Sequence, residues 1–375
     1  MDPMADASTV ERMLLSQARE RNIPMNGSIE LLPLCNLNCK MCYVRLSREE
    51  MEAQGRLRTA EEWISVAKEM KEAGVLFLLL TGGEPLLYPG FKELFVELKK
   101  MGMVLTTNTN GTMIDEEWAD FFAENKPRRI NITLYGSSEE TYRELCRSEQ
   151  GFAKVMNGIH LLKERDVDVK IAVSATKANE KDILDIVEIG RQLNLPVAVD
   201  TYMMPAVRER NLPYDFQARL HPRKAARVRM EVLKRIAKEG TFEQYCLNMM
   251  EQSEQMAGRE KKEEGICCMA GVCSFTVNWK GHLQPCVIMD HPYVSVFEEG
   301  FKAAWDKVMT AAKDIKTNEK CSVCKYRPVC RTCAASGMTE VGDYKDISPY
   351  MCEYAEESYR LIKEEMKKMQ EGAND

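Results

Sequence analysis

The sequence predicts an α/β protein: a partial, open (β/α)6 barrel of the TIM type, followed by a cysteine-rich, loop-rich domain with a β-hairpin. Three observations predict it. Between residues 28 and 203, short apolar runs alternate with amphipathic stretches, giving six strands and five intervening helices. The alternation ends after Pro205. Nine of the fourteen cysteines then crowd into residues 267–352. Strand–helix–strand order implies right-handed βαβ units around a parallel sheet, and six such units fall short of the eight that close a full barrel.

Each element has its own signal. Residues 28–33 read as the first strand, and 75–80, an uninterrupted apolar run, as a buried second one. Residues 103–108, 129–134, 169–175 and 196–203 supply strands three to six. Helices fall at 59–73, 91–100, 115–124, 152–165 and 179–193. The first of these opens on Thr59-Ala60-Glu61-Glu62, a capping box in which each end of the motif satisfies a free backbone N–H. Residues 208–265 carry no strand pattern and read as a helical bridge. Beyond them, 274–277 and 283–287 flank the turn Trp279-Lys280-Gly281 as a hairpin, and 350–370 reads as a closing charged helix. The expected division is an N-terminal extension (1–27), the barrel (28–205), the bridge (206–264), the cysteine-rich domain (265–353) and a C-terminal helix (354–375). In such a barrel the functional groups gather at the C-terminal ends of the strands.

Composition narrows the function classes. Hydrophobic residues make up 45% and charged residues 29% of the chain, the profile of a soluble globular protein. The balance of 52 Lys+Arg against 58 Asp+Glu, net −6, argues against a nucleic-acid coat. No window approaches the ~18 apolar residues of a membrane span. The first 21 residues lack the basic-then-apolar order of an export signal. The expectation is a cytoplasmic protein with neither a membrane nor a nucleic-acid partner. In that compartment fourteen cysteines are not structural disulfides, and their short, fixed spacings are what metal ligation demands.

The first cysteine group is Cys35-Asn36-Leu37-Asn38-Cys39-Lys40-Met41-Cys42, directly after the first strand. Three thiolates leave one iron of a cubane [4Fe–4S] cluster without a protein donor, since such clusters ordinarily take four. An open metal position is what catalysis needs. A zinc site lacking a nearby fourth ligand is the alternative.

This loop, with Thr81-Gly82-Gly83-Glu84-Pro85 after strand two and Asn108-Thr109-Asn110-Gly111 after strand three, resembles the radical S-adenosylmethionine (SAM) superfamily over about residues 29–205. The resemblance implies that Cys35, Cys39 and Cys42 hold a cluster whose open iron chelates SAM. Reductive cleavage then yields methionine and a 5′-deoxyadenosyl radical that abstracts hydrogen. Gly82 and Gly83 would let backbone approach the methionine moiety, and Glu84 would accept a hydrogen bond from its ammonium. Met41 stands where the family has an aromatic residue, and Tyr43 would supply the ring beside adenine instead. In Thr133-Leu134-Tyr135-Gly136 and the following helix, Tyr135 and Cys146 occupy positions where the family has Asp and Arg. Arg143 and Arg147 are therefore the candidates for the SAM carboxylate, with Asn108, Thr133 and Ser174 as ribose or carboxylate contacts. Cys146 is either a hydrogen-atom donor at the barrel mouth or a small buried residue on a helix.

The second group is Cys321-x2-Cys324-x5-Cys330-x2-Cys333, with Cys267, Cys268, Cys273 and Cys286 before it and Cys352 after. Eight ligands would fill two four-cysteine clusters, leaving one cysteine spare. With its Gly281-x4-Cys286 hairpin this stretch resembles the SPASM extension of peptide-modifying radical SAM enzymes. The resemblance implies a first auxiliary [4Fe–4S] cluster on Cys267 (or Cys268), Cys273, Cys286 and Cys333, and a second on Cys321, Cys324, Cys330 and Cys352. Zinc knuckles are the alternative. Fully ligated clusters move electrons but cannot bind substrate through iron, so the expected role is to oxidise a substrate radical.

Residues 219–238 hold eight Lys/Arg against Glu231 alone, a stripe that either docks an acidic peptide or is a solvated helix face. His221, before Pro222, reads as a helix start. The 24 methionines suggest adaptable packing, with Met203-Met204-Pro205 placed to line the SAM cleft. About 27 residues precede the first strand, too few for an N-terminal winged-helix peptide-recognition domain, so a separate peptide-presenting protein is one expectation. The resemblance implies an enzyme fed by an electron donor such as flavodoxin or ferredoxin. It would install a thioether, a carbon–carbon bond or an oxidation in a ribosomally made peptide or protein. The same chemistry on a tetrapyrrole or aminosugar is the second reading, and a non-catalytic zinc scaffold the third.

Overall fold

The computed structural model describes residues 8–204, 209, 218–256 and 258–372. Pro205 and Arg208, at the expected start of the bridge, lie outside the described residues. Six parallel strands form the barrel wall: β1 (Asn26–Glu30), β2 (Phe77–Thr81), β3 (Val104–Thr109), β4 (Arg129–Thr133), β5 (Val169–Ser174) and β6 (Val197–Asp200). They stand in the order β6-β5-β4-β3-β2-β1. The sequence places every one of these strands within three residues of its observed ends.

The helices follow in chain order: α1 (Thr9–Arg21), α2 (Arg48–Gln54), α3 (Ala60–Glu72), α4 (Phe91–Lys100), α5 (Glu116–Glu124), α6 (Gly151–Glu164), α7 (Ile183–Gln192), α8 (Pro222–Ile236), α9 (Thr241–Met256), α10 (Phe301–Asp314), α11 (Ala334–Val341) and α12 (Pro349–Gly372). Between strand and helix layers lies one continuous apolar core, with Trp63, Phe91, Phe95 and Phe122 fully buried. The capping box read at Thr59 is present: Thr59 Oγ1 accepts from Glu62 N at 3.2 Å, and Thr59 N donates to Glu62 Oε2 at 2.8 Å. Because α3 packs its Trp63 face on the sheet, Thr59→Ala is expected to cost about 1 kcal/mol, read as a lowered midpoint in urea at unchanged slope.

The cysteine-rich part departs from the sequence expectation in two ways. The predicted hairpin forms as β7 (Ser274–Val277) and β8 (His282–Gln284), with a third strand, β9 (Val294–Ser295). It does not stand apart, however: β7 pairs in parallel with β1, extending the barrel wall to nine strands. Gly27 makes this pairing possible, because a Cβ there would stand 2.3 Å from the Phe275 ring. The second departure is α10, in a stretch read only as loops and cysteines. Its apolar residues Phe301, Ala304, Trp305, Val308 and Ala312 repeat at helical spacing and are all buried. Phe275 packs edge-on to Phe301 at 5.0 Å and to Trp305 at 6.0 Å, while Trp305 Nε1 donates to the carbonyl of Asn22. α10 thus covers β7 as α3 and α4 cover the strands beside it. α1 was likewise unread, in what looked like a bare extension; its Ser8 capping box was available to be seen. Among the described residues no helix is long and apolar enough to cross a membrane.

Candidate active site and metal centres

Along β3, β4 and β5 buried residues alternate with partly exposed ones, the helix-facing set with the barrel-facing set. Asn108, Thr133 and Ser174 all fall in the barrel-facing set, near the C-terminal ends where the sequence puts them. Asn108 Oδ1 accepts from Asn131 Nδ2 at 2.8 Å, and Ser174 stands in register with Asp200 of β6.

The two glycines after β2 are explained by the chain beside them. Gly83 N donates to the Leu32 carbonyl at 2.7 Å and Glu84 N to the Leu34 carbonyl at 2.9 Å, so this turn runs against the strand that leads into the cysteine loop. A Cβ on Gly83 would lie 2.2 Å from the Leu34 carbonyl oxygen; Gly82 adopts φ +148° with the Leu32 oxygen 2.5 Å from its Cβ position. Only glycine lets these segments approach so closely.

Glu84 is anchored inside the protein. Its side chain is fully buried, and three donors inside the protein face its carboxylate: Leu86 N (3.1 Å) and Thr109 Oγ1 (2.8 Å) at Oε1, and Asn110 N (2.8 Å) at Oε2. Burial pushes its pKa up to about 7, against the pull of those donors. The carboxylate is thus held by the protein's own hydrogen bonds. It ties the turn after β2 to the turn after β3, and Asn110 carries the tie onward: Asn110 Nδ2 donates to Asn36 Oδ1 at 2.9 Å and to Cys35 Sγ at 3.7 Å. Asn110 belongs to the Asn108-Thr109-Asn110-Gly111 motif, of which the sequence reading names Asn108 alone as a candidate contact.

Cys35, Cys39 and Cys42 share one loop, and none of the fourteen cysteines is in a disulfide. Backbone amides point at two of the three sulfurs, Leu37 N at Cys35 (3.4 Å) and Arg45 N at Cys42 (3.3 Å). Burial pushes the Cys35 thiol up to about 12, with Glu84, Cys39 and Cys42 adding to the shift. Met41 is buried and Tyr43 partly exposed on the same loop.

The segment after β4 buries Cys146 and leaves both arginines exposed. A short π-helical turn, Tyr142–Cys146, turns Tyr142, Leu145 and Cys146 inward and Arg143 outward. Cys146 is fully buried in hydrogen-bonding contact with Cys39, which together with burial raises its pKa. The same turn grips the cysteine loop by its backbone: Asn38 N donates to the Cys146 carbonyl (3.2 Å) and Lys40 N to that of Leu145 (3.0 Å). Tyr135 lies close by, its pKa raised first by burial and then by Cys39, Cys146, Cys35 and Cys42. Arg143 instead pairs with Glu149 at 2.8 Å on the surface, and Arg147 ends the turn in the left-handed conformation, exposed. Neither faces the cysteine loop.

The second set of thiols falls into two groups. Cys321, Cys324, Cys330 and Cys352 line one small hollow, together with Tyr326, Arg327, Thr332, Ile347 and Ala355. Thr332 N points at Cys330 Sγ (3.4 Å), and burial pushes that thiol up to about 11. Around Cys268 stand Cys273, Cys286 and Cys333, each close enough to interact electrostatically with it. Cys267 interacts with Cys268, Cys333 and Arg327 but is not among the causes that shift Cys273 or Cys286, and its carbonyl accepts from Arg19 Nη2 at 3.2 Å. Of the two adjacent cysteines, Cys268 is the better placed to complete the first group.

These surroundings fit iron–sulfur clusters. Sulfurs that receive N–H groups in a largely apolar wall are what cluster thiolates require. Among the described residues no three His, Cys, Asp or Glu side chains close on a point that one metal ion would fill. A cubane spreads its irons over several corners and asks its thiolates to stand farther apart than the ligands of a single zinc ion do.

The chain also resembles known proteins over most of its length. A sequence profile described as the Radical SAM superfamily matches residues 29–190. An AdoMet-dependent heme synthase of Methanosarcina barkeri is 25% identical over 343 residues, covering 88% of this chain and 96% of that one. AlbA, an antilisterial bacteriocin subtilosin biosynthesis protein of Bacillus subtilis, is 23% identical over 332 residues, covering 86% of this chain and 70% of that one. In fold, the chain matches Streptococcus suis SuiB bound to precursor peptide SuiA with a TM-score of 0.66 at 17% identity, over 91% of this chain and 80% of that one.

Proposed function

From a chain that belongs to the radical SAM superfamily, with SPASM-type relatives and with SAM and a [4Fe–4S] cluster as its cofactors, we infer an enzyme that oxidatively modifies a ribosomally made peptide. Cys35, Cys39 and Cys42 would hold the SAM-binding cluster. Cys268, Cys273, Cys286 and Cys333 would hold one auxiliary cluster, and Cys321, Cys324, Cys330 and Cys352 the other. The first supplies reductive cleavage of SAM and the auxiliary pair supplies one-electron transfer. The observation that carries this reading is the convergence of Cys321, Cys324, Cys330 and Cys352, spread over 32 residues of sequence, on one hollow.

The protein's own residues do the positioning. Gly82 and Gly83 bring the turn after β2 against the cysteine loop, Glu84 locks that turn to Asn110, and Asn110 holds Cys35 from the far side. The π-helical turn holds Asn38 and Lys40, on either side of Cys39. Asn108, Thr133 and Ser174 remain barrel-facing candidates for SAM contacts, with Met41 and Tyr43 on the loop itself. An electron donor such as flavodoxin or ferredoxin would supply the reductant.

Support for a peptide comes from AlbA, named for bacteriocin biosynthesis, and from SuiB, solved with its precursor peptide SuiA. A tetrapyrrole is the second reading, favoured by the match to 96% of the length of a heme synthase. Anaerobic turnover with reductant and SAM, run in parallel with candidate precursor peptides and with an iron-loaded tetrapyrrole, separates them by which substrate raises 5′-deoxyadenosine formation. With the true substrate, Cys321→Ala is expected to keep 5′-deoxyadenosine formation within about threefold while losing the oxidised product at least tenfold, ~1.4 kcal/mol in barrier terms. Mass spectrometry of the substrate checks it, and undiminished product from this variant would remove the electron-transfer role.

A further inference from the structure

One charged side chain lines the hollow of Cys321, Cys324, Cys330 and Cys352, and it is Arg327. It sits in the five-residue stretch between Cys324 and Cys330, on a short 3₁₀ turn, Arg327–Val329. Its guanidinium is held by a neighbour in that lining: Nη1 donates to the Thr332 carbonyl at 3.3 Å. On the other side it meets Cys267, the cysteine left over when Cys268 completes the neighbouring group. The remaining lining consists of the four thiols, Thr332 and apolar or aromatic surface.

Guanidinium stays protonated at any pH the protein meets. A centre with four thiolate ligands carries net negative charge, and each reduction adds one more. A fixed cation in an apolar wall therefore favours the reduced form more than water would, because the wall screens the attraction weakly. Net charge, hydrogen bonding and exposure are the means by which a protein sets such potentials. Arg327 supplies the first of these from within the wall.

We propose that Arg327 raises the reduction potential of the cluster held by Cys321, Cys324, Cys330 and Cys352, making that centre the electron-accepting end of the auxiliary pair. The inference rests on the ligand assignment above. Arg327 is a positioning residue for charge.

The test needs no substrate. The holoenzyme and its Arg327→Gln, Arg327→Met and Arg327→Lys variants are titrated with dithionite under mediators, and the midpoint of each centre is followed by electron paramagnetic resonance. Iron and sulfide are counted on the same samples. Both neutral variants are expected to lower the midpoint of this one centre by at least 59 mV, a tenfold change in its reduced-to-oxidised ratio. The other two centres stay in place, and Arg327→Lys falls between wild type and the neutral variants. A fully loaded neutral variant with an unshifted midpoint would overturn the proposal. So would failure of both neutral variants to load this centre, since Arg327 would then serve assembly. A wild-type protein whose Cys321→Ala variant keeps its full iron count would instead overturn the ligand assignment, a result that leaves a different signature.

Discussion

Cys39→Ala is expected to abolish reductive SAM cleavage, with 5′-deoxyadenosine falling at least ~10³-fold, more than 4 kcal/mol in barrier terms. Loss of one cluster of three should remove about a third of the bound iron. The structure makes this more than a ligand test, because a fourth thiol touches Cys39. Cys146 is buried against it and could in principle replace it. Its backbone, however, is committed: the Cys146 carbonyl accepts from Asn38 N, and the residue is packed into the apolar core. We therefore expect no rescue: Cys39→Ala loses the cluster, whereas Cys146→Ala keeps the wild-type iron count and SAM cleavage within about tenfold. Iron analysis with 5′-deoxyadenosine chromatography checks both. A Cys39→Ala protein that still cleaves SAM would show that Cys146 had taken over the metal.

Glu84→Gln is expected to be the most damaging conservative change in the barrel. A carboxylate accepts at both oxygens, and here both are used. The amide keeps one acceptor and turns the other into a donor, which then faces the N–H of Asn110. A buried donor left without an acceptor costs about 1–3 kcal/mol. Glu84→Ala abandons three donors together and opens a cavity, so it should cost more than Glu84→Gln. Because Asn110 also touches Cys35, the loss should appear twice, as a lowered unfolding midpoint and as a cysteine loop that loads iron incompletely. Wild-type stability in Glu84→Gln would mean that the internal hydrogen bonds are not what this residue is for.

The barrel was legible because its signals are local. α4, Phe91–Lys100, appears to the residue where its apolar spacing puts it, and Thr59 caps α3 as its capping box requires. The apolar repeat of α10 was equally present and was masked by the cysteines around it. What sequence could not show is competition for a functional group. That Thr109 and Asn110 donate to the Glu84 carboxylate follows from the register of β2 beside β3, which no local pattern encodes. Arg143 and Arg147 have the right charge but the wrong side of a turn. Cys267 and Cys268 are equivalent as letters; which neighbours each meets depends on how the chain crosses β7.

The strand that follows those two cysteines has a consequence for how the protein can be divided. β7 lies directly alongside β1, the strand that leads into Cys35. A fragment ended before Ser274 would leave β1 as a raw edge, its amides and carbonyls exposed to any strand that could join it. The chain's two ends are thus woven into a single fabric, and its cysteine-rich tail cannot be treated as a detachable accessory to the catalytic barrel.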